Sequence, residues 1–148
     1  MNLKYLKSVV VADSYAAMHP YMMKEYFQNF EKEKKKYPPE FVAHYRENGE
    51  YHDWIMNSFE LVNVNNDDEA PSLFITLSFR EEKVQLRFGG LDEFRMEGDY
   101  TEGYAGGHAD FLIMLALGYD QKRFTACLSF QELDVQIRAK YFQWCRLP

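Results

Sequence analysis

His52-Asp53 sets an imidazole beside a carboxylate, a pair able to bind a metal or pass protons near neutral pH. Successive residues of a strand point to opposite faces, so both side chains serve one site only if the pair lies in a turn. The plainer role is to satisfy backbone groups at a helix-to-strand corner. A second stretch, Tyr100-Thr-Glu-Gly-Tyr-Ala-Gly-Gly-His-Ala-Asp110, combines glycines with an imidazole and two carboxylates. It lacks the lysine of a phosphate loop, the GxGxxG of a dinucleotide fold and the spacing of a calcium loop. His108 and Asp110 lie two apart and face one side of an extended segment. His52, Asp53, His108 and Asp110 are therefore the candidate ligands of one metal, in a metal-dependent hydrolase. Otherwise the stretch is a strand connection whose glycines supply positive φ angles.

Carboxylates cluster at Asp92, Glu93, Glu97, Asp99 and Glu102, and again at Asp67, Asp68 and Glu69. Acid-base catalysis needs two carboxylates at a fixed separation, which sequence proximity does not establish. These eight residues are the candidate surface for a basic protein partner, whose docking they would steer. No serine stands in a nucleophile-elbow context. Cys127 and Cys145 have no second cysteine or close histidine at ligand spacing, so both are expected to be reduced, buried thiols.

The elements that position these residues change character near residue 50. Met23, Tyr26, Phe27 and Phe30 follow helical spacing behind Pro20, and Pro38-Pro39 ends that helix. A second helix is expected from Glu40 to Asn48, with Gly49 as its C-cap. Asp13 to Met18 also reads as helix, whereas Leu3 to Val11 fits helix or strand. Beyond Gly49 the period becomes twofold, in Trp54 to Val64, Leu73 to Phe79 and Val84 to Phe88. Glu81-Glu82 is the expected turn, and Gly89-Gly90 is expected to break the third strand before another from Leu91 to Gly98. Phe111 to Leu117, Arg123 to Phe130 and Leu133 to Tyr141 read as a late meander, with Gly118 to Gln121 turning the chain. The sum is one α+β domain over residues 1–148, mainly helical in 1–50 and mainly β in 51–148. Its sheet is largely antiparallel, of about six or seven strands, with helices covering one face.

Charge and composition narrow the function classes. Seventeen basic residues against 23 acidic ones give a net charge of −6, a field that repels phosphate backbones, so nucleic acid is not an expected partner. Residues 1–50 hold 8 basic and 7 acidic residues and the remainder 9 and 16, so the acidity belongs to the sheet part. No apolar run approaches a membrane span, the longest being Phe111 to Leu117. Neither a signal peptide nor a cofactor motif is readable, and the expectation is a cytoplasmic protein with no membrane association and no cofactor. Aromatics make up 17% of the chain, most of them at core-facing positions of the periodic segments.

Tyr37-Pro-Pro-Glu-Phe-Val42, then Glu50-Tyr-His-Asp53, then the strands Leu73 to Phe79 and Val84 to Phe88 give the chain a resemblance over residues 37–141. It resembles a group of uncharacterised bacterial domains in which a helical part leads to a His-Asp corner and an antiparallel sheet. Similar domains occur among immunity proteins that neutralise toxins. The resemblance implies a nonenzymatic, protein-binding domain, an immunity-like inhibitor of a basic partner. The metal-dependent hydrolase and a structural or oligomer-forming domain are the alternatives.

Overall fold

The computed structural model describes residues 1–14, 20–63, 70–98, 112–130 and 133–148. Leu3–Ser14 forms α1, which resolves the ambiguous N-terminal segment as helix. Asn2 explains the start, because its side-chain oxygen accepts the Tyr5 N–H at 2.9 Å as an N-cap. Leu6, Val9 and Val10 then share one buried face. Of the helix expected from Asp13, residues 13 and 14 belong to α1 and 15–18 lie outside the described residues. Pro20–Glu33 forms α2, a 3-10 turn covers Lys34–Lys36, and α3 spans Pro39–Glu47. A second 3-10 turn, Gly49–Tyr51, leads into the sheet.

The strands are β1 (Ile55–Val62), β2 (Ser72–Phe79), β3 (Glu82–Gly98), β4 (Leu112–Asp120), β5 (Arg123–Phe130) and β6 (Leu133–Arg146). They form a six-stranded antiparallel sheet in the order β1-β2-β3-β6-β5-β4. Two meanders therefore meet along the long β3/β6 pair. Gly89-Gly90 does not end the third strand: β3 runs through it, and its ladder with β6 extends from Val84 to Gly98. Gly90 adopts φ +63°, and the ladder shifts register between Leu91 and Glu93, so the pair of glycines bends the strand without terminating it. Gly118 also lies inside a strand, and the turn falls later, at Gln121 and Lys122, both at positive φ. A Cβ at Gly118 would stand 2.7 Å from the Met1 carbonyl oxygen and 2.8 Å from Thr125 Oγ1, so close packing rather than turn geometry requires that glycine.

The sheet folds back on itself. Phe59 of β1 pairs with Ile75, and Ile75 with Leu86 of β3. Phe94 lies eight residues past Leu86, roughly 26 Å of extended strand, yet the Phe59 and Phe94 rings are 5.6 Å apart. The bend at Gly90 brings the two halves together. Between helices and sheet sits an aromatic cluster of Tyr26, Phe30, Tyr37, Phe41, Tyr45, Tyr51 and Trp54, all buried. Phe142 joins it from β6, 4.7 Å from Phe41 and 4.9 Å from Tyr37 by ring centroids.

The helices also close one edge of the sheet. Leu117 N–H donates to Tyr26 Oη at 2.8 Å, and Tyr45 O–H donates to the Leu115 carbonyl at 2.6 Å. Because Tyr45 spends its proton on Leu115, the 3.1 Å contact between the two phenols has Tyr26 as donor. Tyr119 N–H donates to Glu33 Oε1 at 2.7 Å. Two tyrosines and a glutamate thus do along β4 what a seventh strand would do.

Candidate functional site

The His52-Asp53 corner is built by backbone. His52 N–H donates to the Gly49 carbonyl at 3.0 Å, and Asp53 takes φ +67°. Asp53 N–H donates to Leu112 O, and Leu112 N–H to Trp54 O, both at 2.8 Å, so the corner is tied to the first residue of β4. Trp54 is buried there while His52 and Asp53 project into solvent, 55% and 70% exposed. Their side chains meet, with His52 Nδ1 3.2 Å from Asp53 Oδ2. Among the described residues, this pair engages Nδ1 and not Nε2 of the ring. His108 and Asp110 lie outside the described residues, and among the described residues no cluster of three metal-ligating side chains forms.

Of the eight carboxylates assigned to partner binding, Asp67, Asp68, Glu69, Asp99 and Glu102 also lie outside the described residues. The other three each have a cation of this chain beside them. Asp92 binds Arg123, Glu93 binds Arg95 at 2.9 Å and Glu97 binds Lys7 at 3.3 Å. Exposed pairs of this kind are worth roughly 0–1 kcal/mol each, but they locally cancel the charge offered to a partner.

The sheet leaves an opening at the other end of β6. Pairing with β5 stops at Ala139, opposite Phe124, while β6 continues to Arg146, paired among the described residues with β3. A cleft follows the unpaired stretch. Its largest section, about 540 Å³, lies between Glu40, Ala43, His44 and Glu47 of α3 and Trp144, Cys145 and Arg146 of β6. The groove continues past Pro38 and Gln143 towards Arg87. The α3 residues follow i, i+3, i+4, i+7 spacing, so they form one helical face. Glu40 and Glu47 are exposed and make no ion pair among the described residues, whereas Arg146 reaches Glu82 at 3.9 Å and lies over the Trp144 ring at 6.0 Å. Cys145 is exposed here, contrary to the expectation of two buried thiols, because it shares with Gln143 the face of β6 that points away from buried Phe142 and the helices.

His44 forms the back of this cleft, and sequence reasoning missed it. Its ring is 2% exposed, with Nδ1 2.9 Å from Tyr51 Oη and Nε2 3.2 Å from Glu82 Oε1. A carboxylate only accepts, so Nε2 carries a proton, and in the neutral ring Nδ1 accepts from Tyr51 O–H. Burial holds the Tyr51 phenol far above its ordinary range, offset in part by the Trp144 indole beside it. Hydroxyl, imidazole and carboxylate in series have the order of a hydrolytic triad, but Tyr51 is fully buried and cannot meet a substrate. The series instead ties α3 and the second 3-10 turn to β3. The signal was present: His44 shares a helical face with Phe41 and Tyr45, the apolar side of α3.

Neither a protein-family model nor a curated protein sequence matches this chain.

Proposed function

We propose that the chain is a nonenzymatic protein-binding domain that engages a basic partner, in the manner of an immunity protein. The observation that carries this reading is the cleft between α3 and β6. It combines two exposed carboxylates that make no ion pair among the described residues, Glu40 and Glu47, with the partly buried Trp144. Aromatic anchors beside unpaired charge are what a protein interface uses for affinity and for steering. The chain's net charge of −6 adds long-range attraction for a cationic surface.

The test is capture from a native lysate on immobilised wild type and on the E40K/E47K variant. A basic protein retained by wild type, released by moderate salt and lost on the variant supports the reading. Equal retention on both, or retention of acidic proteins only, overturns it.

One observation favours a second reading, a metal-dependent hydrolase. The two backbone bonds to Leu112 are made by Asp53 and Trp54, next to His52 in sequence, and Leu112 follows Asp110 by two residues in sequence. Melting of the chelated protein with and without Zn²⁺, Mn²⁺, Mg²⁺ or Ca²⁺ tests it, since a ligand of the native state raises the midpoint by mass action. A saturable rise with one metal, abolished in H52A, selects this reading. No rise with any of the four removes it.

A further inference from the structure

We propose that the groove beside β6 seats an extended basic segment of the partner as an added strand, antiparallel to residues 142–146. This names the mode and the chemistry of the partner-binding reading and rests on it. The hairpin of β4 and β5 turns at Gln121 and Lys122, so β5 pairing ends at Ala139 and β6 runs on past it to Arg146. Room for a further strand is present there as groove volume. Sections of about 360, 380 and 540 Å³ follow one another from Phe124 to Glu47, the first two sharing Phe142 and Gln143 and the last two Trp144 and Cys145. The groove thus continues the line of β5, and all of its lining residues are described ones.

The ladder phase turns main-chain groups into this space. In an antiparallel pair, opposed residues alternate between hydrogen-bonded and non-bonded pairs. Leu147 N–H donates to the Lys83 carbonyl at 2.8 Å, and the register from Val84 to Gly89 runs without a shift. Cys145, Gln143 and Tyr141 therefore bond to Gln85, Arg87 and Gly89 of β3. Phe142, Trp144 and Arg146 point their N–H and C=O the other way, into the groove, at the spacing that strand addition uses.

The walls select the occupant. α3 runs alongside β6, with Phe41 4.7 Å from Phe142 and His44 5.2 Å from Trp144 by ring centroids. Residues of the added strand opposite Phe142, Trp144 and Arg146 share their face and turn their side chains towards α3. There they meet the carboxylates of Glu40 and Glu47 and the indole of Trp144. A guanidinium suits both, by charge and by stacking, and Arg146 of this chain, over the Trp144 ring at 6.0 Å, shows that the ring accepts one. Glu40 and Glu47 stand about 10 Å apart along the helix, and two arginines two apart on a strand about 7 Å, a difference that their long side chains span. The other face of the added strand lies beside Arg87, which disfavours basic residues there. The recognised segment therefore alternates basic and neutral residues. The chain's net charge of −6 disfavours a second copy as the occupant.

The probe is the peptide acetyl-Val-Arg-Val-Arg-Val-amide, titrated into the full chain up to millimolar and followed by amide hydrogen exchange and chemical shifts in NMR. In the free chain the amides of Phe142, Trp144 and Arg146 are expected to exchange fast and those of Gln143 and Cys145 slowly, and saturating peptide should slow the first three. N-methylation of both arginines of the peptide removes its bonding N–H groups and should weaken binding about ten-fold, whereas N-methylation of the central valine, whose N–H faces outward, should not. E40K/E47K should weaken binding as well, with circular dichroism melting to establish that the variant is folded. Slow exchange of the three amides in the free chain, or no binding of the peptide up to millimolar, overturns the proposal. Binding that is lost in E40K/E47K but leaves the three amides unprotected in wild type overturns strand addition and keeps the basic-partner reading. Protection undiminished in E40K/E47K overturns the basic-partner reading, and the proposal with it.

Discussion

Tyr45 shows how much one atom of this chain does. Its hydroxyl accepts from Tyr26 and donates to the Leu115 carbonyl, deep in a fully buried cluster. Tyr45→Phe keeps the ring and removes both bonds, leaving a buried carbonyl and a buried phenol proton unsatisfied. Each such orphan costs roughly 1–3 kcal/mol, so the unfolding free energy should fall by about 2–6 kcal/mol, read as a lower urea midpoint at unchanged slope. A loss below about 0.5 kcal/mol would mean that water replaces the hydroxyl and the edge is not sealed. The two thiols make a second contrast. Burial pushes the Cys127 thiol up to about 12, with the carboxylate of Asp134 adding to the effect, whereas Cys145 is exposed. Thiolate is the reactive species. A disulfide reagent at mildly alkaline pH should therefore modify one thiol per native chain rapidly and the second only in denaturant. Rapid modification of both in the native chain would contradict the packing around β5.

Among the elements, β3 carries the bend that lets the sheet close over its own core, and Gly90 is where the bend is made. Gly90→Ala imposes a side chain at φ +63° and places its Cβ 3.1 Å from the Lys140 Cβ across the ladder. Gly49 has a similar φ of +58° with open space around it. Alanine at Gly49 therefore carries the backbone strain alone, roughly 1–2 kcal/mol, and alanine at Gly90 should lower stability by more. Equal losses would show that the β3/β6 ladder yields freely at Lys140. The same glycine marks the limit of what the sequence makes legible. Local period and proline placement are enough for α2, α3 and the strands around Ile75, Leu86, Leu128 and Val135, because their apolar spacing records which face is buried. They do not distinguish a glycine that stops a strand from one that bends it, since the difference lies in the distant Lys140. The extent of β6 past Tyr141 depends on β3, and the exposure of Cys145 on which face of that extension the helices cover. Candidate residues fared likewise. The His-Asp corner was legible as a corner, whereas the groove between α3 and β6 exists only through pairing of strands far apart in sequence.

At the scale of the whole molecule, the aromatic cluster couples stability to alkaline pH. Tyr26, Tyr37, Tyr45 and Tyr51 are all held above the ordinary phenol range, chiefly because burial disfavours the charged form. In the unfolded chain the same phenols ionise near 10. A group whose folded pKa is raised contributes stability that is complete below the unfolded pKa and is lost as pH rises through and beyond it. Each such phenol then costs about 1.4 kcal/mol per pH unit, so the four together remove roughly 5 kcal/mol per unit above pH 10. Against a domain stability of about 5–15 kcal/mol, the fold should be lost within about one to three units of that point. Cys127 acts in the same direction from a lower starting value, since its ordinary pKa is 9.0 and burial carries it to about 12. Below about pH 8 none of these groups ionises in either state, and they leave stability independent of pH. The measurement is tyrosinate absorbance and far-ultraviolet circular dichroism on one sample titrated upward. The buried phenols are expected to ionise together with the loss of helical signal, in a single steep transition. If absorbance reached the value for all 11 tyrosines while the dichroism stayed native, the cluster would be open to water, and the sealing of β4 by Tyr26 and Tyr45 would fail with it.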